Sequence, residues 1–193
     1  ENSFGTFGVL GSKKSNCIIN YLKISGGSES FINGVYYSGQ LSIHYSSSVD
    51  SHNSYFANSS ADDCLNIKYC ENVLLTKSTF IDNYADHIDL DYCKGLIDNN
   101  SFVNKNISDF NGDGLDASGS SLIVTNNLFQ HLGDKGISVG ENSDLSVSTN
   151  TFNNLSKGIA IKDLSKVYLF SNTFSQNIVD VDLVKWLFNP AGG

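Results

Sequence analysis

Aspartates gather in one stretch of this chain. Asp86, Asp89 and Asp91 form one short run, and Asp113 and Asp116 form another. Asp134 and Lys135 follow, while Lys68 and His87 border the group. Carboxylates this dense offer three chemistries. A pair can share a proton and act as general acid and base on a glycosidic bond. A group of them can bind Ca²⁺, a hard cation that takes oxygen ligands. Asp at a turn can also simply cap backbone amides, with nearby Lys neutralising it. For catalysis the candidates are Asp113, Asp116, Asp89, Asp86 and Lys135. For substrate binding they are His87, Lys68, Asp91 and Asp134. Asp113 is the preferred acid, because Gly112 and Gly114 beside it leave room for a substrate. Asp116 or Asp89 would then stay ionised as base or nucleophile. His87 is expected on the polar face, where neighbouring carboxylates would raise its pKa.

What positions these residues is a repeat. A polar residue, then any residue, then Phe recurs as Ser54-Tyr55-Phe56, Ser78-Thr79-Phe80, Asn100-Ser101-Phe102, Asn127-Leu128-Phe129, Asn150-Thr151-Phe152 and Asn172-Thr173-Phe174. The period is about 23 residues. An alternating strand follows each phrase, as in Leu65-Asn66-Ile67, Ile88-Asp89-Leu90, Leu115-Asp116-Ala117 and Ile137-Ser138-Val139. A third apolar phrase precedes the next Phe, as in Val73-Leu74-Leu75 and Leu122-Ile123-Val124. Period-2 patterning at this spacing excludes helical repeats and predicts three short strands per coil. The expected fold is all-β, a right-handed single-stranded parallel β-helix of about seven to eight coils. Coils stacked about 4.8 Å apart would make a rod on the order of 35–40 Å long. The Phe residues should stack inside it. The Asn or Ser two residues earlier should sit at a turn, where Asn can adopt the left-handed conformation and bond its neighbour's backbone.

Aligning the coils on the alternating strand places the carboxylates. The column before the strand reads Gly39, Asp63, Asp86, Asp113, Lys135, Lys157. The outward column within it reads Ser42, Asn66, Asp89, Asp116, Ser138, Ala160, Asp180. The next outward column reads His44, Lys68, Asp91, Ser118, Gly140, Lys162, Asp182. Like charges stacked at coil spacing repel, so this face costs stability unless something compensates.

Residues 1–16 and 183–193 break the repeat and are read as caps on one domain spanning 1–193. Segment 26–39 and the coil around 104–112 are expected to loop outward. Cys70 and Cys93 occupy the same place in adjacent coils, either as stacked thiols or as a disulfide. Cys17 and Cys64 are expected to be lone thiols.

Composition narrows the partners. The formal net charge is −8, and all 12 basic residues are Lys. Such a chain is no partner for nucleic acid, and it has no Arg fork for phosphate. No run of about 18 apolar residues is present to span a membrane. Abundant Ser and Asn with 17 Gly suit strands and turns. Low charge with many hydroxyl and amide side chains leans toward an extracellular or cell-surface setting. The missing initiator Met suggests a mature chain or an excised piece of a longer one.

With its recurring N-x-F phrase, the three-strand coil resembles the parallel β-helix repeat of the pectate-lyase-like superfamily, over roughly residues 17–182. That resemblance implies the fold and leaves activity open, because the fold hosts lyases, hydrolases, epimerases, adhesins and carriers. Asn111-Gly112-Asp113-Gly114 is similar to the first polygalacturonase phrase. One coil later Gly133-Asp134-Lys135 has Lys where the second Asp of that family stands, and Ser156-Lys157-Gly158 lacks its His. Resemblance to pectate lyases would imply Ca²⁺ held by Asp and a Lys base, Lys68 or Lys135. The expectation is a surface or secreted β-helix module that contacts a polysaccharide or glycan through its acidic face. The alternatives are a non-catalytic scaffold of a larger protein, with or without Ca²⁺, and a polysaccharide lyase or hydrolase.

Overall fold

A computed structural model of the chain describes residues 4–106 and 112–184. No helix occurs among the described residues. Three parallel sheets wrap one core, an all-β right-handed parallel β-helix. The first sheet has eight strands: Phe7–Leu10, Gly39–His44, Asp63–Lys68, Asp86–Asp91, Leu115–Ser118, Lys135–Gly140, Lys157–Ile161 and Val179–Leu183. The second and third sheets have seven each. Six regular turns run from Gly39 onward, slightly fewer coils than the repeat count predicts. An irregular first turn precedes them.

The apolar periodicity builds the interior as expected. Leu65, Ile67, Ile88, Leu90, Leu115, Ala117, Ile137 and Val139 are all in the core. Phe56, Phe80, Phe102, Phe129 and Phe152 are fully buried. Their rings stack face to face, with centroids 4.6 Å apart for Phe56 and Phe80 and 5.2 Å for Phe80 and Phe102. Phe174 continues the stack at 4.9 Å from Phe152 but is only partly buried, because among the described residues no strand covers it on the far side.

The Asn ladder bonds backbone as expected, but its own residues are not the left-handed ones. The left-handed residues are those just before it, including Lys77, Asn99, Asn126, Thr149 and Ser171. The ladder side chains themselves turn inward and stitch coils. Asn127 Oδ1 accepts the Asn100 N–H at 2.8 Å, and its Nδ2 donates to the Ile97 carbonyl at 2.8 Å. Asn150 and Asn172 repeat the pattern. A short amide side chain satisfies corner amides that the strands leave unpaired.

Within the segment expected as the N-terminal cap, Phe7–Leu10 is an edge strand, paired in parallel with Gly39–His44 and exposed along its length. Most of the cap expected at 183–193 lies outside the described residues, as does most of the loop expected at 104–112. Segment 26–39 holds an antiparallel hairpin of Ser30–Ile32 and Val35–Tyr37. Its tip is Asn33-Gly34, with φ of 51° and 78°. Both values are left-handed, as a two-residue hairpin turn requires. The four cysteines are free thiols.

Candidate functional site

The first sheet carries the acidic face. Register places Asp63, Asp86 and Asp113 in one column and Asn66, Asp89, Asp116 and Ser138 in the next. The following column holds His44, Lys68, Asp91 and Ser118. These match the sequence alignment except at the C-terminal end. There Ala160 pairs with Asp182, and Asp180 lies outside the column. The run Val179-Asp180-Val181-Asp182-Leu183 looks the same after a two-residue slip, so only the pairing of the coils could choose.

These outward columns are recessed rather than open. Asn66 and Ser138 are fully buried, and Asp86, Asp89 and Asp116 are half-buried. At one end the hairpin of residues 30–37 shields the sheet. Tyr37 stacks on His44 at 4.9 Å. The His44 Nε2–H donates to Asn66 Oδ1 at 2.9 Å, and Asn66 Nδ2 donates to Asp89 Oδ2 at 2.7 Å. Burial lowers the His44 pKa, so the neutral ring suits this chain. Phe31 and Tyr36 pair at 4.8 Å on the exposed hairpin.

Asp86, Asp113 and Asp116 bring one carboxylate oxygen each to within 4.8 Å of one another. Two of them also stitch the coils. Asp86 Oδ1 accepts the Asp113 N–H at 2.7 Å, and Asp113 Oδ1 accepts the Lys135 N–H at 3.0 Å. Lys135 Nζ reaches Asp113 at 3.3 Å and also pairs with Asp134. Lys68 Nζ pairs with Asp91 at 2.6 Å. Asp116 Oδ1 is buried and has no hydrogen-bond partner.

Burial sets the protonation of this group. It pushes Asp86 up to about 9, and the charge of Asp113 adds to it. It pushes Asp63 up to about 7. Asp89 is held well above the usual carboxylate range by burial and then by Asp63, Asp91 and Asp116. Asp113 reaches only about 6, because Lys135 opposes the effect of burial. Asp116 is raised by burial against the pull of Lys162. Burial would lower Lys68 and Lys135, but Asp91 and Asp113 outweigh it and raise both. Asp86 therefore keeps its proton more firmly than Asp113.

Two expectations fail on geometry. His87 is not on the acidic face. It is 1% exposed and points inward, with its ring edge-on to Phe80 and Phe102. Asn83 Nδ2 lies 2.7 Å from its Nδ1, and burial pushes its pKa down to about 3. The corner between Asp86 and the strand breaks the alternation, so His87 and Ile88 both turn in. Gly112 and Gly114 make no room for a substrate either. A Cβ on Gly112 would lie 2.4 Å from the Ala85 carbonyl oxygen, and one on Gly114 would lie 2.5 Å from the Phe129 ring. Both glycines serve coil packing.

Sequence reasoning missed two features. The Asn33-Gly34 pair between apolar residues was a hairpin signal, and it explains the shield over the face. Tyr45, Tyr69 and Tyr92 follow three successive first-sheet strands and stack at 4.9 and 5.2 Å. Their recurrence at one place in the coil was readable.

The family model of the right-handed β-helix region matches residues 39–189. The chain belongs to this family. No curated protein and no solved structure matches it. Membership accounts for the parallel coil of this right-handed β-helix protein. No helix is long and apolar enough to cross a membrane among the described residues. A hard cation suits the oxygen donors of Asp86, Asp113 and Asp116. In this β-helix, however, Lys135 already supplies a positive charge to Asp113. A cation would have to share that carboxylate.

Proposed function

We propose that the chain is a carbohydrate-contacting β-helix module, working at a cell surface or in the extracellular space, with the recessed acidic face as its site. The observation that carries this reading is the meeting of Asp86, Asp113 and Asp116 within 4.8 Å on a face bordered by an aromatic hairpin. Recessed polar groups beside exposed rings suit a sugar, which offers hydroxyls to one and C–H faces to the other. Lys68 and Lys135 hold Asp91, Asp113 and Asp134 in place and leave Asp86, Asp89 and Asp116 for a ligand. The test is a panel of neutral, acidic and amino polysaccharides against the folded protein and its Asp89→Asn/Asp116→Asn variant. Binding to at least one glycan that the variant loses supports the proposal. A panel with no binding anywhere leaves the scaffold reading in its place.

A second reading, cleavage of the bound glycan, is favoured by one observation. Asp86 is pushed up to about 9 while Asp113, beside Lys135, reaches about 6. Such a pair divides into a proton donor and a carboxylate. Asp86 would donate, and Asp113 or Asp116 would serve as base. Product release from a bound polysaccharide, abolished by Asp113→Asn with binding retained, would establish it.

A further inference from the structure

We infer that the outer face of the second sheet is the contact surface of a dimer, in which a second copy of this chain lies alongside in the same direction, like coil against like coil. This goes beyond the carbohydrate reading, which concerns the first sheet. The argument starts from an apolar stripe. The middle outward column of the second sheet runs from Ile18 to Tyr168, both exposed. Three successive strands, Asn72–Thr76, Lys94–Asp98 and Ser121–Thr125, fill that column with Leu74, Leu96 and Ile123. Leu74 and Leu96 are half-buried and Ile123 is exposed. Together they line a shallow groove of about 530 Å³. A sheet face that meets only water reads polar at such positions. The matching column of the first sheet does so, with Ser42, Asn66, Asp89 and Asp116. A continuous aliphatic stripe between polar rims marks a contact surface.

The rims of the stripe say what covers it. One rim carries Lys94 and the other Asp98, at the two ends of one strand. Turning a second copy by half a turn about the rod direction lays each coil on its own counterpart and exchanges the two rims. Leu74, Leu96 and Ile123 then each meet themselves, and each Lys94 meets Asp98 of the other copy. Such self-complementarity is what a two-fold dimer requires. Both charges are available for it. Asp98 takes part in no ion pair among the described residues. Lys94 is held only by Glu71, in an exposed pair that water and salt weaken. Along the same rims Lys166 faces the exposed Phe170 ring of the other copy, a cation–π contact. Asp50, which would face itself, is already paired with His52. The opposite orientation fits less well. Antiparallel rods centred on Ile123 would set Lys94 against Asp144, but would lay Leu96 on Ser146. Seven strands of five residues make a face of about 500 Å², so the dimer buries about 1,000 Å² in total. That area meets the least that a specific interface needs, and it implies a weak, reversible dimer.

The experiment is sedimentation of the chain over rising protein concentration, with circular dichroism confirming the fold of every variant. Wild type is expected to pass from monomer to dimer. Ile123→Asp, on the exposed stripe, should weaken the dimer about tenfold or more. Lys94→Asp and Asp98→Lys, each alone, bring like charges together and should weaken it by a similar factor. Mixing those two single variants should restore a dimer, because Asp at 94 then meets Lys at 98 while the native Lys94 and Asp98 meet each other. Wild type that stays monomeric at every concentration overturns the inference. So does a dimer that Ile123→Asp leaves unchanged. Rescue of Lys94→Asp by Asp144→Lys, and not by Asp98→Lys, overturns the parallel arrangement in favour of the antiparallel one. All of these variants lie on the second sheet, so each outcome leaves the carbohydrate reading of the first sheet to its own test.

Discussion

The backbone N–H of Asp113 donates to the carboxylate of Asp86 at 2.7 Å, across two neighbouring coils. Asp86, whose proton is held by burial and by the charge of Asp113, therefore also ties the Asp113 coil in place. Removing Asp86 relieves the cost of burying a carboxyl and at the same time orphans a backbone donor. This double role explains how an acidic column survives inside a solenoid, and it shapes the predictions for the site.

Stability should depend on pH through these carboxyls. Asp63, Asp86 and Asp113 have folded-state values of about 7, 9 and 6, raised above the ordinary 3.8. A raised acid favours the protonated native state. Its contribution is full below the unfolded value and is lost as pH rises through the folded one. The melting temperature should therefore fall as pH rises from about 4 to about 9. His87 acts in the opposite sense. Its value is pushed down to about 3, so its contribution is present above the usual 6.5 and is lost as pH falls. Thermal melts across pH should thus show a maximum at mildly acidic pH, and His87→Gln should flatten the acidic limb. A melting temperature that rises steadily up to pH 9 would contradict the carboxyl assignment.

The Phe stack should be the main apolar support. Phe129 is fully buried between Phe102 and Phe152, at 4.8 and 5.0 Å. Phe129→Ala should cost about 3–5 kcal/mol by denaturant unfolding. Phe174→Ala, on the partly exposed end ring, should cost clearly less. Equal costs at the two positions would mean that the stack is not what makes Phe129 matter.

The Asn ladder should be comparably sensitive for a different reason. Asn127→Ala would leave the Asn100 N–H and the Ile97 carbonyl without their partners. Each orphaned buried group costs about 1–3 kcal/mol. Asn127→Asp keeps the acceptor and loses the donor, so it should fall between wild type and Ala near neutral pH only if its charge is relieved. Urea titration of both variants checks the order.

Cation binding should be gated by Lys135. With its ammonium on Asp113, wild type should gain little from millimolar Ca²⁺. Lys135→Ala frees Asp113 beside Asp86 and Asp116, and Ca²⁺ should then raise the melting temperature by mass action. Adding Asp116→Asn should cancel the gain. If Ca²⁺ shifts neither wild type nor Lys135→Ala, the three carboxylates do not form a cation site.

Several of these features were legible in the amino-acid sequence. The N-x-F phrase and the alternating strands determine a three-sheet parallel coil, because only that arrangement buries period-2 apolar residues at such a spacing. The same alternation put Asp89, Asp116, Lys68 and Asp91 on one outward face, since successive side chains in a strand must point to opposite sides. Other features depended on contacts between coils. His87 lies next to Asp86 in the chain, yet a corner turns it inward against Phe80 and Phe102. Asp180 and Asp182 are interchangeable by local pattern, and only pairing with Lys157–Ile161 selects Asp182. Protonation was the least legible property. It follows from burial, and burial on this face depends on the hairpin that carries Tyr37 over His44 and on the reach of Lys135 to Asp113. Alternation fixes the direction in which a side chain points; how much water it keeps, and which charge it meets there, is decided by residues brought in from distant coils.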